Sequence, residues 1–202
     1  MSESIALDNA EIVLFVGCKG SSGHAFKKGN SFVVWIPVER YPSKLTVEVF
    51  VPHEIAHALH YKNTPAFYFN SMEEKYVVSR QIITEGVATF VSMTVTHCDA
   101  KTALWGDYLP KKQVALWLQE CLRQEKIMNE YVFDNFYKQN MDLFTVSEGD
   151  DVANVLHFRG GYYVGLRLVE RIVQARQLTI SDIFSFSREE FEHIALETLR
   201  NR

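Results

Sequence analysis

The feature that most constrains the fold of this chain is the stretch 51–60, which reads V-P-H-E-I-A-H-A-L-H and contains H-E-x-x-H. Residues four apart on a helix share one face, so His53 and His57 can offer imidazole nitrogens to one cation. Glu54 lies beside that pair, where its carboxylate can reach a water activated by the metal and take its proton. The stretch therefore predicts a helix with two metal ligands and a general base.

Only three positions of this pattern are fixed, so it also arises by chance in unrelated chains. The intervening Ile55, Ala56, Ala58 and Leu59 are small or apolar, which favours a buried helix. Buried imidazoles need partners for their nitrogens, and a metal ion would supply one. The alternative of a chance motif in a helical scaffold predicts no bound metal.

Length and composition predict a single domain, 1–202, that can bury a core around a polar site. The chain has 202 residues, of which 47% are hydrophobic and 23% are charged. Its net charge is -4, and its Lys and Arg are spread along the chain, which argues against nucleic acid as the main partner. No stretch is suited to a secretory signal or a membrane span. We therefore expect neither a nucleic acid nor a membrane as partner.

The cysteines predict a reducing compartment. Cys18, Cys98 and Cys121 are odd in number, far apart in sequence and without C-x-x-C spacing. This pattern favours reduced, mostly buried thiols over metal ligands. A cytoplasmic location is the expectation.

Local patterns predict short strands followed by a series of helices. Strands are expected over 11–17 and 31–38, which are rich in β-branched and aromatic residues, with a mobile glycine-rich loop between them. Ser43 is the expected cap of the first helix, and Pro52 should kink that helix or mark its true start. The predicted helices cover 44–61, 72–95, 111–129 with a continuation to 137, 161–174 and 187–199. The expected fold class is α+β, with a small N-terminal β-sheet (about 1–40) packed on a mainly helical body (about 43–202).

A third metal ligand is expected downstream, because a catalytic zinc usually takes three protein ligands and keeps one position for water. Glu85 lies in the apolar stretch I-T-E-G-V-A-T, where an acidic side chain needs a strong partner. Gly86 beside it would permit close approach of another helix. Glu85 is therefore the predicted third ligand.

The other histidines are not expected to bind the metal. His60 follows three residues after His57, but the longer pattern H-E-x-x-H-x-x-G-x-x-H is not met. His24, His97 and His193 lack ligand spacing and are predicted to lie at the surface or to form hydrogen bonds.

With these residues the chain resembles the gluzincin metallopeptidases, in which a glutamate on a following helix, often within E-G-x-A, completes H-E-x-x-H. The order of strand, H-E-x-x-H helix, T-E-G-x-A helix and G-Y-x-x-G helix also resembles a bacterial group of domains of unknown function described as predicted zinc-dependent proteases. The resemblance implies a zincin-like fold in which His53, His57 and Glu85 hold Zn²⁺ and Glu54 acts as base and proton shuttle. Several gluzincins use an Asp four residues after the glutamate to steady a histidine; Thr89 stands there and can accept a hydrogen bond.

The oxyanion of peptide hydrolysis also needs a hydrogen-bond donor, and the stretch H-F-R-G-G-Y-Y offers several. Tyr162 aligns best with the tyrosine of the resembled family and is the predicted catalytic donor. Tyr163, His157 and Arg159 are alternatives.

These expectations combine into a zinc metallopeptidase, a hydrolase in which Glu54 takes a proton from water and passes it to the leaving amine. In gluzincins an edge strand beside the active helix aligns the substrate, and 31–38 is the expected strand. Two other functions stay open: a zinc-dependent amidohydrolase of a non-peptide substrate, and a non-catalytic zinc-stabilised binding domain. The expected partner is a peptide or protein substrate; the sequence indicates neither cleavage specificity nor oligomeric state.

Overall fold

The computed structural model of the chain describes residues 11–17, 23–29, 31–146 and 149–200. It contains three strands, β1 (Glu11–Phe15), β2 (His24–Lys28) and β3 (Ser31–Pro37). The helices in these ranges are α1 (Lys44–Asn63), α2 (Met72–Lys75), α3 (Val78–Thr96), α4 (Ala100–Trp105), α5 (Lys111–Arg123), α6 (Glu125–Asp134), α7 (Gly160–Arg176), α8 (Ile180–Ser185) and α9 (Arg188–Arg200). A small N-terminal sheet is thus packed on a helical body, and the predicted α+β class is confirmed.

The sheet has the order β1-β3-β2, with β1 parallel and β2 antiparallel to β3. One face of β3, formed by Phe32, Val34 and Ile36, is buried in the core shared with the helices. Strand β3 is therefore central, and the prediction that 31–38 forms the edge strand is wrong. The edge beside the helices is β2, which occupies 24–28 of the stretch 17–30 that was predicted as a mobile loop. The flanking glycines and the lysines of H-A-F-K-K hid the strand pattern.

Helix α1 begins at a capping box, as Ser43 predicted. The Thr46 N–H donates to Ser43 Oγ, and the Ser43 N–H donates to Thr46 Oγ1, both at 3.1 Å. The helix then continues across Pro52 to Asn63, so Pro52 does not mark its start. The metal motif lies in the middle of a long helix that packs on both β3 and α3.

Two glycines let α3 and α7 approach closely. A Cβ on Gly86 would collide with the carbonyl oxygen of Gly165, and a Cβ on Gly165 would lie 2.6 Å from the carbonyl oxygen of Ile82. Helix contact at this distance leaves no room for any side chain at either position. The predicted role of Gly86 is confirmed, and its partner is the second glycine of G-Y-x-x-G.

Other helix boundaries differ from the predictions. The helix expected over 72–95 is divided at Tyr76 and Val77, where Val77 bridges to Gln139. The helix expected from 111 is divided at Gln124, and α4 and α8 were not anticipated. The capping box of α9 is present, since the Glu190 N–H donates to Ser187 Oγ at 3.2 Å. None of the helices in the described ranges has the length and apolar character needed to cross a membrane.

Candidate metal centre

Helices α1 and α3 bring His53, His57 and Glu85 to one point. Nε2 of His53 lies 3.2 Å from Nε2 of His57 and 3.2 Å from Oε2 of Glu85. The third side of the triangle, from His57 Nε2 to Glu85 Oε2, measures 3.4 Å. The two histidines are buried, and the Glu85 side chain is only 13% exposed. Three atoms that each carry a lone pair therefore face one another out of bulk water.

The size of this triangle suits a small divalent cation. Zinc binds imidazole nitrogens and carboxylate oxygens at about 2.0–2.2 Å, which places tetrahedral ligand atoms about 3.3 Å apart. The observed separations of 3.2 to 3.4 Å agree with that value. Two imidazoles and one carboxylate also form a donor set that zinc accepts. The group His53, His57 and Glu85 can therefore hold a metal ion.

The charges of the cluster support one another. Burial alone would lower the pKa of His57, but the charge of Glu85 and the hydrogen bond to it outweigh burial and raise that pKa. Burial would likewise raise the pKa of Glu85, but His57 and the hydrogen bonds from both imidazoles hold it well below the ordinary value. Glu85 is thus ionised, as a metal ligand must be.

The carboxylate of Glu54 faces the same cavity, and the backbone of Gly23 lies close against it. Glu54 is 7% exposed, and burial raises the pKa of its carboxyl group. A Cβ on Gly23 would lie 2.6 Å from both Cδ and Oε1 of Glu54. The backbone just before β2 therefore covers Glu54 in a way that only glycine allows.

A cavity of about 150 Å³ surrounds the cluster. Its walls come from β2, α1, α2, α3 and the start of α7, and they include residues that spacing alone could not reveal. His24 lies in this wall, with its ring 5.6 Å from that of Phe69, rather than at the open surface. Burial, Lys75 and His57 lower the pKa of His24 to about 4, so its imidazole is neutral at pH 7.

Lys75 and Arg80 also line the cavity, and the sequence analysis singled out neither of them. The Lys75 Nζ lies 5.5 Å above the ring of Phe69. Arg80 is buried, and its guanidinium donates to the carbonyl oxygens of Ala66, Phe67 and Tyr68. That contact ties the loop after α1 to α3. The only sequence signal for it is a basic residue at the start of an apolar helix.

The four candidate oxyanion donors are separated by the fold. Tyr162 lines the cavity, and its ring centroid lies 6.4 Å from that of His53. Arg159 also lines the cavity. Tyr163 is buried against Trp117, and His157 is exposed beside Asp142, so neither reaches the cluster.

Two further expectations concern neighbours of the ligands. The Thr89 hydroxyl is buried but forms no hydrogen bond to either imidazole in the described structure, so the expected support of a histidine is absent. His60 is fully buried among aromatic rings and does not join the cluster, as predicted. Cys98 and Cys121 are free thiols away from the cluster, while Cys18 lies outside the described residues.

A buried group of two histidines and one glutamate, flanked by a carboxylate inside an α+β fold, defines a candidate mononuclear metal centre. Comparison with known families agrees with this class. The chain belongs to the family of domains of unknown function described as Predicted Zn-dependent protease (DUF2268), whose model matches residues 7–193. No curated protein and no solved structure matched the chain.

Proposed function

We propose that this protein is a zinc metallopeptidase of the gluzincin type, with His53, His57 and Glu85 as metal ligands. The observation that carries the proposal is the triangle of their three ligand atoms, with sides of 3.2 to 3.4 Å, beside the buried carboxylate of Glu54. The family description supports the same reaction class.

Glu54 is the proposed general base and proton shuttle. His53, His57 and Glu85 would hold the zinc ion, which would supply Lewis-acid chemistry for the attacking water and the substrate carbonyl. The Glu54 carboxylate accepts the proton of that water and returns it to the leaving amine nitrogen. Burial raises the pKa of Glu54, which brings it closer to that of the groups with which it exchanges the proton.

Tyr162 is the proposed donor to the oxyanion. Burial, together with the charge of Glu85, raises the pKa of its phenol, so the hydroxyl keeps the proton that it must donate. The position of its ring beside His53 supports this role.

Strand β2 is the proposed docking edge for an extended peptide. The Lys27 N–H donates to Tyr68 Oη at 3.2 Å and so points away from β3. In an antiparallel pair the N–H and C=O of one residue point to the same side, and alternate residues share that side. Ala25, two residues before Lys27, therefore directs both groups away from β3, and it lines the cavity. A substrate strand can pair with these groups, which favours a peptide over other amides.

The test measures bound zinc and peptide hydrolysis for the native chain and for Glu54→Gln and Glu85→Ala. Glu54→Gln should keep zinc and lose turnover by roughly 10²–10⁴-fold, because proton transfer is removed. Glu85→Ala should lose zinc affinity because a ligand is removed. Glu48→Gln is the matched control, since Glu48 lies exposed on the same helix and, among the described residues, pairs only with Lys44.

Unchanged hydrolysis in Glu54→Gln would overturn the mechanism. Bound zinc together with cleavage of non-peptide amides alone would identify an amidohydrolase instead. Bound zinc without any hydrolysis, in the native chain and Glu54→Gln alike, would identify a zinc-stabilised binding domain.

A further inference from the structure

We propose that Arg159 binds a carboxylate group of the substrate and thereby selects peptides that carry a negative charge close to the cleaved bond. This inference rests on the proposed peptidase function. It assigns to Arg159 a role in specificity that differs from donation to the oxyanion.

The Arg159 guanidinium contacts two aromatic rings. Its Cζ lies 4.1 Å from the ring centroid of Tyr162 and 4.8 Å from that of Trp105. Arginine stacks on aromatic faces in this way while the edge of its fork stays available for a planar anion. The group also lines the cavity that contains the metal cluster.

No carboxylate of the described residues pairs with Arg159. Other arginines of the helical body are paired within the chain, at 2.5 to 2.8 Å: Arg167 with Glu170, Arg171 with Glu125 and Arg188 with Glu192. An unpaired guanidinium in a cavity wall costs desolvation that a pair would offset. A carboxylate from outside the chain would supply that pair.

The backbone of Arg159 is strained in a way that fixes its position. Its φ is 56°, in the left-handed region that non-glycine residues seldom adopt, and it immediately precedes α7. This conformation is unfavourable for a residue that carries a Cβ. The Arg159 N–H donates to the carbonyl of Thr145 at 3.2 Å, which helps hold the conformation. Strained backbone conformations cluster at active sites and ligand-binding positions, where a side chain must be held in one orientation.

The distance from Arg159 to the cluster suits a neighbouring substrate residue. Tyr162, which contacts the guanidinium, has its ring centroid 6.4 Å from that of His53. The Arg159 Cζ lies 4.1 Å from that same Tyr162 ring, so its distance from the His53 ring centroid is at most the sum of the two, about 10.5 Å. One residue of extended peptide spans about 3.5 Å, so a carboxylate within about three residues of the cleaved carbonyl reaches the guanidinium. Either a free C-terminal carboxylate or an acidic side chain provides this chemistry.

The other acidic and basic side chains that line the cavity are Glu54, Glu85, Lys75 and Arg80. Glu85 is already engaged by both imidazoles, and Arg80 is committed to backbone carbonyl groups. Lys75 carries the other unpaired cation of the wall, above the ring of Phe69. Lys75 lies on the Phe69 side of the cavity and Arg159 on the Tyr162 side. Of these cations, only Arg159 has a planar guanidinium that contacts two aromatic rings. It therefore suits bidentate recognition of a carboxylate.

The test measures peptide binding by calorimetry in the zinc-loaded Glu54→Gln protein, where cleavage does not interfere. The probes are one peptide with a free C-terminus, the same peptide amidated, and versions with Glu or Gln beside the cleavage position. Arg159→Gln should reduce the preference for the charged probe over its neutral partner roughly tenfold to a hundredfold, and Arg159→Lys should restore part of it. Lys75→Met is the matched control and should keep the preference.

Each outcome decides the proposal. If Arg159→Gln loses only the preference for the free C-terminus over the amidated one, Arg159 binds the α-carboxylate. If it loses only the preference for the Glu probe over the Gln probe, Arg159 binds an acidic side chain. Equal binding of charged and neutral probes in the parent, or an unchanged preference in Arg159→Gln, overturns the inference. Equal weakening of charged and neutral probes in Arg159→Gln also overturns it, because the residue then serves the peptide generally. These binding outcomes are independent of whether the native chain hydrolyses peptides, so failure of the proposed function is seen separately.

Discussion

Helix α1 contains two buried histidine environments one turn apart. The first is that of His53 and His57, the second is that of His60, and the side chains around them differ. His53 and His57 meet a carboxylate, Glu85, at 3.2 and 3.4 Å. His60 lies among aromatic rings, including that of Phe67 at 4.4 Å, and neither of its nitrogens has a hydrogen-bond partner in the described structure. The pKa values move in opposite directions: that of His57 is raised by Glu85, whereas burial lowers that of His60 to about 3.

The comparison teaches that burial alone does not give a histidine the surroundings that a metal ligand needs. Both environments exclude water, but only one receives a carboxylate from a second helix. That carboxylate arrives because α3 packs tightly between α1 and α7. The chemistry of the site therefore depends on a helix contact made outside α1.

Loss of a ligand should have the largest effect on the first environment. His57→Ala should reduce zinc affinity by more than the roughly 10–100-fold cost of removing a group that merely supports a ligand. His60→Leu should leave zinc affinity unchanged, because His60 does not face the cluster. Competition with a chromogenic chelator measures both. Equal loss in the two variants would remove the distinction between the environments.

Displacement of Glu54 should have the next largest effect, and it should spare the metal. The new methyl group of Gly23→Ala would lie 2.6 Å from the Glu54 carboxyl group, which must then move. A displacement of about 1 Å can cost up to 10²-fold in rate. We expect turnover to fall roughly tenfold or more while zinc affinity stays within twofold of the native value. Steady-state kinetics at saturating zinc checks this, and full turnover would show that the Glu54 position is not critical.

A side chain that pushes α3 away from α7 should lower both the stability of the protein and its affinity for zinc. Gly86→Ala places a methyl group against the Gly165 carbonyl, and overpacking of this kind costs about 1–3 kcal/mol of stability. Because Glu85 is the adjacent residue, zinc affinity should fall as well. Gly29→Ala is the comparator: it meets no atom within 4 Å, so only its φ of 63° contributes, at about 1 kcal/mol. Denaturant unfolding with and without zinc separates the two effects.

Replacement of His60 by an apolar residue should have the smallest effect, and it should stabilise the protein. A buried donor or acceptor without a partner costs about 1–3 kcal/mol, so His60→Leu should raise the free energy of unfolding by about 1 kcal/mol once shape differences are included. A stability loss would show that His60 has a partner or a role.

The same variant should alter the dependence of stability on pH. Burial, and to a lesser degree the charge of His57, lowers the folded-state pKa of His60 to about 3, against an ordinary value of 6.5. Between these values the unfolded chain binds the extra proton, so native stability falls as the pH decreases from 6.5 toward 3. His60→Leu should show a smaller fall in that window, measured by denaturant unfolding at several pH values.

Much of the site could be predicted because the sequence patterns that indicate it lie within single helices. The spacing of His53 and His57 needs only a helix, and Ser43 marks where that helix begins. Glu85 was conspicuous as an acidic residue inside an apolar helix. The α+β class followed from strand patterns that precede helix patterns.

The errors arose where local pattern was overridden by long-range contact. Strand β2 was hidden in a glycine-rich stretch, because its sequence becomes a strand only when it pairs with β3. The central position of β3 was likewise undetermined, since the order of strands depends on which edges the helices cover. Thr89 stands at the expected spacing from Glu85, but its hydroxyl forms no hydrogen bond to the imidazoles.

The amino-acid sequence by itself determined which residues could form the metal cluster, because helical spacing and the cost of burying a charge are properties of short segments. Only the tertiary structure decided which groups surround that cluster. Gly23 lies over Glu54, and Arg159 contacts the rings of Tyr162 and Trp105. Such contacts depend on how the helices and the sheet pack, and no spacing within a single segment encodes them.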